Sequence, residues 1–64
     1  MTPALRYDAV ANAAYIRLSD GQILESEEVS PRIVLDYDAQ GHIVGIEFLD
    51  ARAQLSQELL AAAA

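Results

Sequence analysis

The sequence predicts an α+β domain in which a four-stranded antiparallel sheet, built from two β-hairpins, is followed by one C-terminal helix. Residues 5–20 and 35–50 align without a gap and share six identities in sixteen positions, which indicates two copies of one hairpin. Within both copies apolar side chains recur at every second position, as in strands with one buried face. After residue 50 the apolar spacing becomes helical. A chain of 64 residues has room for one domain, which we assign to residues 1–64.

The second copy gives the clearer hairpin. Apolar or aromatic side chains recur at alternate positions along residues 33–37 and again along 44–48. Between these strands, Asp38 and Gly41 occupy the first and fourth positions of a turn, where Asp and Gly are typical of type I. Gly41 can also adopt the left-handed conformation that directs the chain into the next strand. We therefore expect this hairpin, with the helix behind it, to be the more stable part of the fold.

The first copy is looser. Residues 5–7 and 14–18 show the same alternation, but a longer connection separates them. Asp8 and Asn12 in this connection have side chains that can accept hydrogen bonds from nearby backbone amides. Asp20-Gly21 is a turn dipeptide and ends the second strand. The first hairpin is where we expect a partner to bind, the hairpin to be swapped between copies, or the chain to move.

The segment between the copies, residues 19–30, is polar and less regular, so we interpret it as a connection. Pro31 cannot donate a hydrogen bond to a neighbouring strand and therefore belongs at the start of a strand or at a sheet edge. With four strands taken in chain order, a meander is the expected arrangement.

One amphipathic helix is predicted over residues 50–61. Asp50 is the expected N-cap, because its carboxylate can accept the free amides of the first turn. Leu55 and Leu59 are four residues apart, share one helix face and are expected to pack on the sheet. The alanines of residues 61–64 favour helix but bury little surface, so we expect them to fray.

The composition limits the functions of the chain. It contains no Cys and only one His, which excludes disulfides, thiolate metal sites and clusters of His ligands. The net charge is −6 and all four basic residues are Arg, which argues against nucleic-acid binding because phosphates require a basic face. Acidic charge favours solubility first and a basic protein partner second. Residues 1–3 do not resemble the start of a signal peptide and no apolar run could span a membrane, so we expect a cytoplasmic location.

Several acidic side chains could in principle act as cation ligands. Asp36 and Asp38 are two apart on a strand and so share a face. A calcium site needs six or more oxygen ligands, so we interpret Asp38 as a turn residue and Asp36 as an exposed, solvated one. Glu25, Glu27 and Glu28 are interpreted as charges that protect a strand edge from aggregation. The sequence therefore predicts no metal site.

The His, Tyr and Arg side chains are expected to have structural rather than catalytic roles. His42 follows the turn glycine and is expected to be exposed, without the partners that a general base needs. Tyr7 and Tyr37 occupy equivalent positions in the two copies and are expected to pack in the core or across strands. Arg17 and Glu47 also fall at matching positions, which allows a cross-strand ion pair. No catalytic residue and no cofactor-binding residue is predicted.

A family resemblance rests on short motifs that follow one another along the chain. They are Tyr7-Asp8, residues 14–21 (AYIRLSDG), residues 33–38 (IVLDYD), Gly41 and residues 43–51 (IVGIEFLDA). In this order they resemble the domain of unknown function 2283, a family of small bacterial and phage-type proteins, over about residues 5–52. The resemblance implies a compact β-rich domain with a C-terminal helix. It implies no activity, no cofactor and no catalytic residues.

The leading hypothesis is a non-enzymatic protein-interaction domain that forms a homo-oligomer, most simply a dimer. Domains this small usually need an additional stabilising element, and without disulfides or a metal site a partner chain remains. Val34 and Ile43 lie on the face expected to be exposed, and both would suit such a contact. The alternative is an antitoxin-like acidic partner of a small basic toxin, which rests on size and charge alone.

Overall fold

The computed structural model of the chain describes residues 4–63. Its elements, in chain order, are β1 (Ala4–Asp8), β2 (Ala13–Arg17), β3 (Glu25–Ser30), β4 (Ile33–Tyr37), β5 (Ile43–Leu49), α1 (Ala51–Gln54) and α2 (Gln57–Ala62). The α+β class is confirmed, but the chain forms five strands and two short helices rather than the predicted four strands and one helix. The expectations for residues 1–3 and for residue 64, the end of the predicted tail, lie outside the described residues.

The five strands form one antiparallel sheet in the order β1-β2-β5-β4-β3. Both predicted hairpins, β1–β2 and β4–β5, are present, but β2 pairs with β5, so the predicted meander is wrong. Leu5 faces Ile16 in the first hairpin, and Leu35 faces Ile46 in the second. Ile16 and Ile46 in turn face each other between β2 and β5, which relates the two hairpins by a local two-fold axis.

The additional strand is β3, which lies in the segment predicted to be a connection and pairs with β4 at an edge of the sheet. All six of its residues are exposed, so it has no buried face and no apolar alternation that could reveal it. The chain reaches this edge from β2 by crossing the ends of β5 and β4. Arg17 holds that crossing, because its Nε donates to the Ser19 carbonyl over 2.6 Å and its Nη2 donates to the Gly21 carbonyl.

The predicted helix is interrupted at Leu55 and Ser56. Leu55 is extended (φ −112°, ψ 149°), and the Ser56 hydroxyl accepts the amide of Leu59 over 3.1 Å, which caps a new helix. Because the interruption changes the helical phase, Leu60 is 7% exposed, whereas the predicted contact residue Leu59 is 42% exposed. Residues 61–62, which were expected to fray, complete α2.

The core lies between the helices and one half of the sheet. Ala14, Ala51 and Leu60 are buried together. The side chains packed against them come from β1, β5 and the end of α1, and are Leu5, Tyr7, Phe48 and Leu55. The helices therefore cover the first hairpin more than the second, contrary to the expectation that they back the second. Val44 is buried outside this cluster, next to Gly21 in the crossing segment.

Candidate interaction surfaces

The strand pairings place side chains in rows that cross the sheet, and successive rows point to opposite faces. On the face that carries the helices, one row consists of Leu5, Ile16, Ile46, Leu35 and Glu27. The other complete row on this face consists of Tyr7, Ala14, Phe48, Ile33 and Ser30. Both rows are apolar or aromatic until they reach β3, so this is the hydrophobic face of the sheet.

The helices cover only part of this face. Their cluster takes in side chains of β1, β2 and the end of β5, and none of β4. The remaining part, termed the apolar patch, consists of Ile16, Ile33, Leu35, Tyr37, Ile43 and Ile46. Ile43 is 46% exposed, and the other five side chains are half-buried. Contiguous apolar surface of this kind is typical of an interaction site.

Ile43 reaches the patch through an irregularity in the pairing of β4 and β5. Asp36 faces Gly45, but the next residue of β4, Tyr37, faces Ile43, so the register shifts between them. A bulge of this kind interrupts the strict alternation of side chains along a strand. Ile43 therefore lies on the face of Tyr37, and the prediction that it shares the opposite face with Val34 is wrong.

An acidic strand edge borders the patch. In β3, Glu25 faces Tyr37 and Glu27 faces Leu35. The Tyr37 hydroxyl donates to Glu27 Oε1 over 3.2 Å. Partial burial, followed by the charge and hydrogen bond of Glu27, raises the pKa of Tyr37 above its ordinary value of 10.0, so the phenol remains a donor. The strand edge that these glutamates were expected to protect is therefore present, and it lies beside the patch.

The opposite face of the sheet is polar and has its own contacts. Tyr15 lies over Gly45, where an added Cβ would be 2.8 Å from the Tyr15 Cζ, so a larger residue would displace the ring. Arg17 Nη1 donates to the Tyr15 hydroxyl over 3.4 Å, in addition to its contacts in the crossing segment. The predicted ion pair between Arg17 and Glu47 is wrong, because Glu47 faces Tyr15 and the guanidinium has turned to these other acceptors.

The two aspartates at the end of β4 have separate structural roles. Asp36 is 7% exposed and accepts the Ser26 hydroxyl over 2.6 Å, so the prediction that it is solvated is wrong. Asp38 Oδ1 accepts the amides of Gln40 and His42, both at 2.9 Å, which confirms its turn role. The hydrogen bond from His42 is the main reason that the pKa of Asp38 lies below its ordinary value of 3.8. His42 is exposed, as predicted, with Nδ1 3.6 Å from Asp38 Oδ2.

A junction at one end of the sheet joins three side chains that are far apart in the sequence. Asn12, Arg32 and Asp50 all have positive φ angles, of 53°, 72° and 53°. Asp50 is the N-cap residue of α1, as predicted, but the expected capping hydrogen bond from its carboxylate is absent. The carboxylate instead accepts Asn12 Nδ2 over 2.8 Å and Arg32 Nη1 over 3.1 Å. Asn12 binds the start of α1 instead, since its carbonyl and Oδ1 accept the amides of Ala51 and Arg52 at 2.9 Å each.

Two other predicted contacts are confirmed in the first hairpin. Asp8 Oδ1 accepts the amides of Val10 and Ala11 at 3.0 and 3.1 Å, so it organises the β1–β2 connection locally. Tyr7 packs in the core cluster, and its hydroxyl accepts Arg52 Nη1 over 3.1 Å.

The described residues offer few features that could bind a metal ion or a small ligand. Between residues 4 and 63, no three His, Asp or Glu side chains are grouped so that they could hold a metal ion. A shallow depression of about 350 Å³ lies mainly on the polar face and is lined by Arg6, Tyr7, Asp8, Ala13, Ala14, Tyr15 and Glu47. The helices in the described range have four and six residues, and neither is long or apolar enough to cross a membrane.

These surfaces define the class of protein as a small α+β domain whose antiparallel sheet carries helices on one half of its apolar face. The protein family of unknown function DUF2283 matches residues 4–52, and the chain belongs to this family. The resemblance found in the sequence is thereby confirmed. The match takes in all five strands and the start of α1, whereas α2 lies beyond it. No curated protein and no solved structure matches the chain.

Proposed function

We propose that this domain has no catalytic activity of its own and acts by forming a homodimer. The observation that carries the proposal is the apolar patch, which lies outside the helix cluster and whose central residues, Ile16 and Ile46, are only half-buried. Removing apolar surface from water contributes roughly 25 cal/mol per Å², so association of this face is favourable. A cytoplasmic location is part of the proposal.

The small core supports the need for a second chain. Among the described residues, the buried apolar side chains are Ala14, Val44, Ala51 and Leu60, and two of these are alanines. Domains of about 60 residues bury only about 60% of the surface that their unfolded chains expose, and their stability is marginal. A dimer interface adds buried apolar area without lengthening the chain.

The acidic side chains support a non-catalytic role. Asp36, Asp38 and Asp50 each accept hydrogen bonds that maintain the fold. A general acid or base works best with a pKa near the operating pH. The pKa of Asp38 is shifted away from neutral pH, because the amides of its turn hold it below the ordinary value.

Sedimentation equilibrium over a concentration series tests the proposal. We expect the measured mass to rise from 6.9 kDa towards twice that value with increasing concentration. A mass that stays at 6.9 kDa up to about 1 mM would refute the proposal, because a dissociation constant above that concentration corresponds to less than about 4 kcal/mol of association free energy.

A second candidate function is an acidic partner of a small basic protein, as in an antitoxin that binds a basic toxin. It is favoured by β3, in which all six residues are exposed and three are Glu. The effect of salt concentration on the strength of association distinguishes the two functions. A chain with a net charge of −6 repels its own copy, so salt should tighten the homodimer, whereas salt should weaken a complex with a basic protein.

A further inference from the structure

We infer that the dimer forms by contact of the apolar patch of one copy with the same patch of the second. This inference rests on the homodimer proposed above and specifies its surface. In a two-fold dimer the same surface is used by both copies, so a self-complementary patch is required. The patch meets this requirement because its six residues, Ile16, Ile33, Leu35, Tyr37, Ile43 and Ile46, carry no charge at neutral pH.

The molecule is flat, because its Cα atoms extend over 34 × 27 × 17 Å. The patch lies on the part of one broad face that the helices leave open. The helices leave the patch open, because they cover the side of the face near β1 and β2, away from β4.

The charge pattern favours a second copy over a basic protein at this surface. The acidic residues nearest in the strand pairing, Glu25 and Glu27, lie at the β3 rim. An uncharged centre with a polar rim is the usual arrangement of a protein interface. A basic partner would gain most at β3, whereas an identical apolar surface matches Leu35 and Ile46.

Two matched substitutions in β5 test the inference. Ile43 and Leu49 are the first and last residues of this strand and are 46% and 37% exposed. Ile43 faces Tyr37 in the patch, and Leu49 faces Ala13 on the polar side of the sheet. Ile43→Glu therefore adds a carboxylate to the patch, and Leu49→Glu adds the same carboxylate outside it. Because both side chains are exposed, both variants should fold, which circular dichroism and thermal melting can verify.

We expect Ile43→Glu to raise the dimer dissociation constant by about tenfold or more, and Leu49→Glu to change it by less than about threefold, in sedimentation equilibrium. If the wild type dimerises and both variants dimerise equally well, the homodimer stands and the patch is not its interface. Equal weakening by both variants also overturns the inference, because it would reflect net charge rather than position. A wild type that stays monomeric instead refutes the proposed function.

Discussion

The two hairpins share a sequence pattern, but different contacts stabilise them. The helices pack on the first hairpin through Leu5, Tyr7 and Ala14, and Asn12 joins its connection to α1. The second hairpin is closed by a turn in which Asp38 accepts amides of the same turn. Most of the apolar side chains of this second hairpin belong to the uncovered patch. The helices thus pack mainly on the first hairpin, whereas the second is closed by the contacts of its own turn.

This difference shows that a repeat in the sequence does not give both copies the same surroundings. The chain has one C-terminal helical segment, and that segment covers one of the two related apolar surfaces. The related surface of the second hairpin remains available to another chain. The expectation that the first hairpin binds the partner is thereby reversed in our proposal, which assigns the contact mainly to the second.

The largest expected effect comes from removing the helix contact with the first hairpin. Leu60→Ala should lower the free energy of unfolding by about 2–4 kcal/mol, because it deletes a buried side chain from the core cluster. Leu59→Ala is the matched control, since Leu59 is 42% exposed, and it should cost less than about 1 kcal/mol. Urea denaturation measures both. Equal losses would show that α2 packs through a different face.

The next effect concerns the junction that joins the first connection to α1. Asn12→Ala removes the side-chain hydrogen bonds with Asp50 and Arg52 and places alanine at a φ of 53°. We expect a loss of about 2–3 kcal/mol in the same urea experiment. Asn12→Gly also lacks the side-chain hydrogen bonds but avoids backbone strain at this φ, so its loss of stability should be smaller. A loss within about 0.5 kcal/mol for Asn12→Ala would mean that the junction adds little stability.

A substitution in the turn of the second hairpin should lower the free energy of unfolding by a smaller amount. Gly41 has a φ of 82°, and a Cβ added there would meet no atom within 4 Å. Gly41→Val should therefore destabilise the fold through the backbone alone, by about 1–2 kcal/mol. Gly41→Asn should cost less, because Asn tolerates the left-handed region. Identical melting temperatures for wild type and Gly41→Val would contradict the turn geometry.

The smallest expected effect is the loss of stability on substitution of Asp38, and this loss depends on pH. Its folded pKa lies below the ordinary value of 3.8, so the unfolded chain takes up the proton first as the pH falls. The stabilisation is therefore present above the unfolded pKa and is lost as the pH falls through the folded pKa. Asp38→Asn should be less stable than wild type at neutral pH, with a difference that shrinks below a pH of about 4. A difference that is constant with pH would contradict this role.

The parts of the fold that depend on short-range patterns could be predicted from the sequence. Alternating side chains identified both hairpins, and the spacing of Asp38 and Gly41 identified the turn. β3 could not be found this way because Glu25–Ser30 has no buried face, and pairing with β4 alone makes it a strand. The end of the first helix was missed because the Ser56 cap competes with continuation of the helix.

The candidate surface was predictable only in part. Ile43 was singled out as an exposed apolar strand residue, but its face depends on the irregular register beside Tyr37, which the sequence does not mark. The uncovered state of Leu35 and Ile46 depends on which hairpin the helices contact. That choice follows from long-range packing of Leu60 and from the junction at Asn12, and neither contact has a local pattern in the sequence.

The central claim is that the apolar patches of two copies face each other. An equal mixture of isotope-labelled and unlabelled chain, at a concentration where sedimentation shows a dimer, allows isotope-filtered nuclear Overhauser effects between copies to be measured by NMR. The account predicts such effects from the methyl groups of Leu35 and Ile46 to protons of the unlabelled copy. Intermolecular effects confined to other residues, such as Leu49 on the polar face, would contradict it.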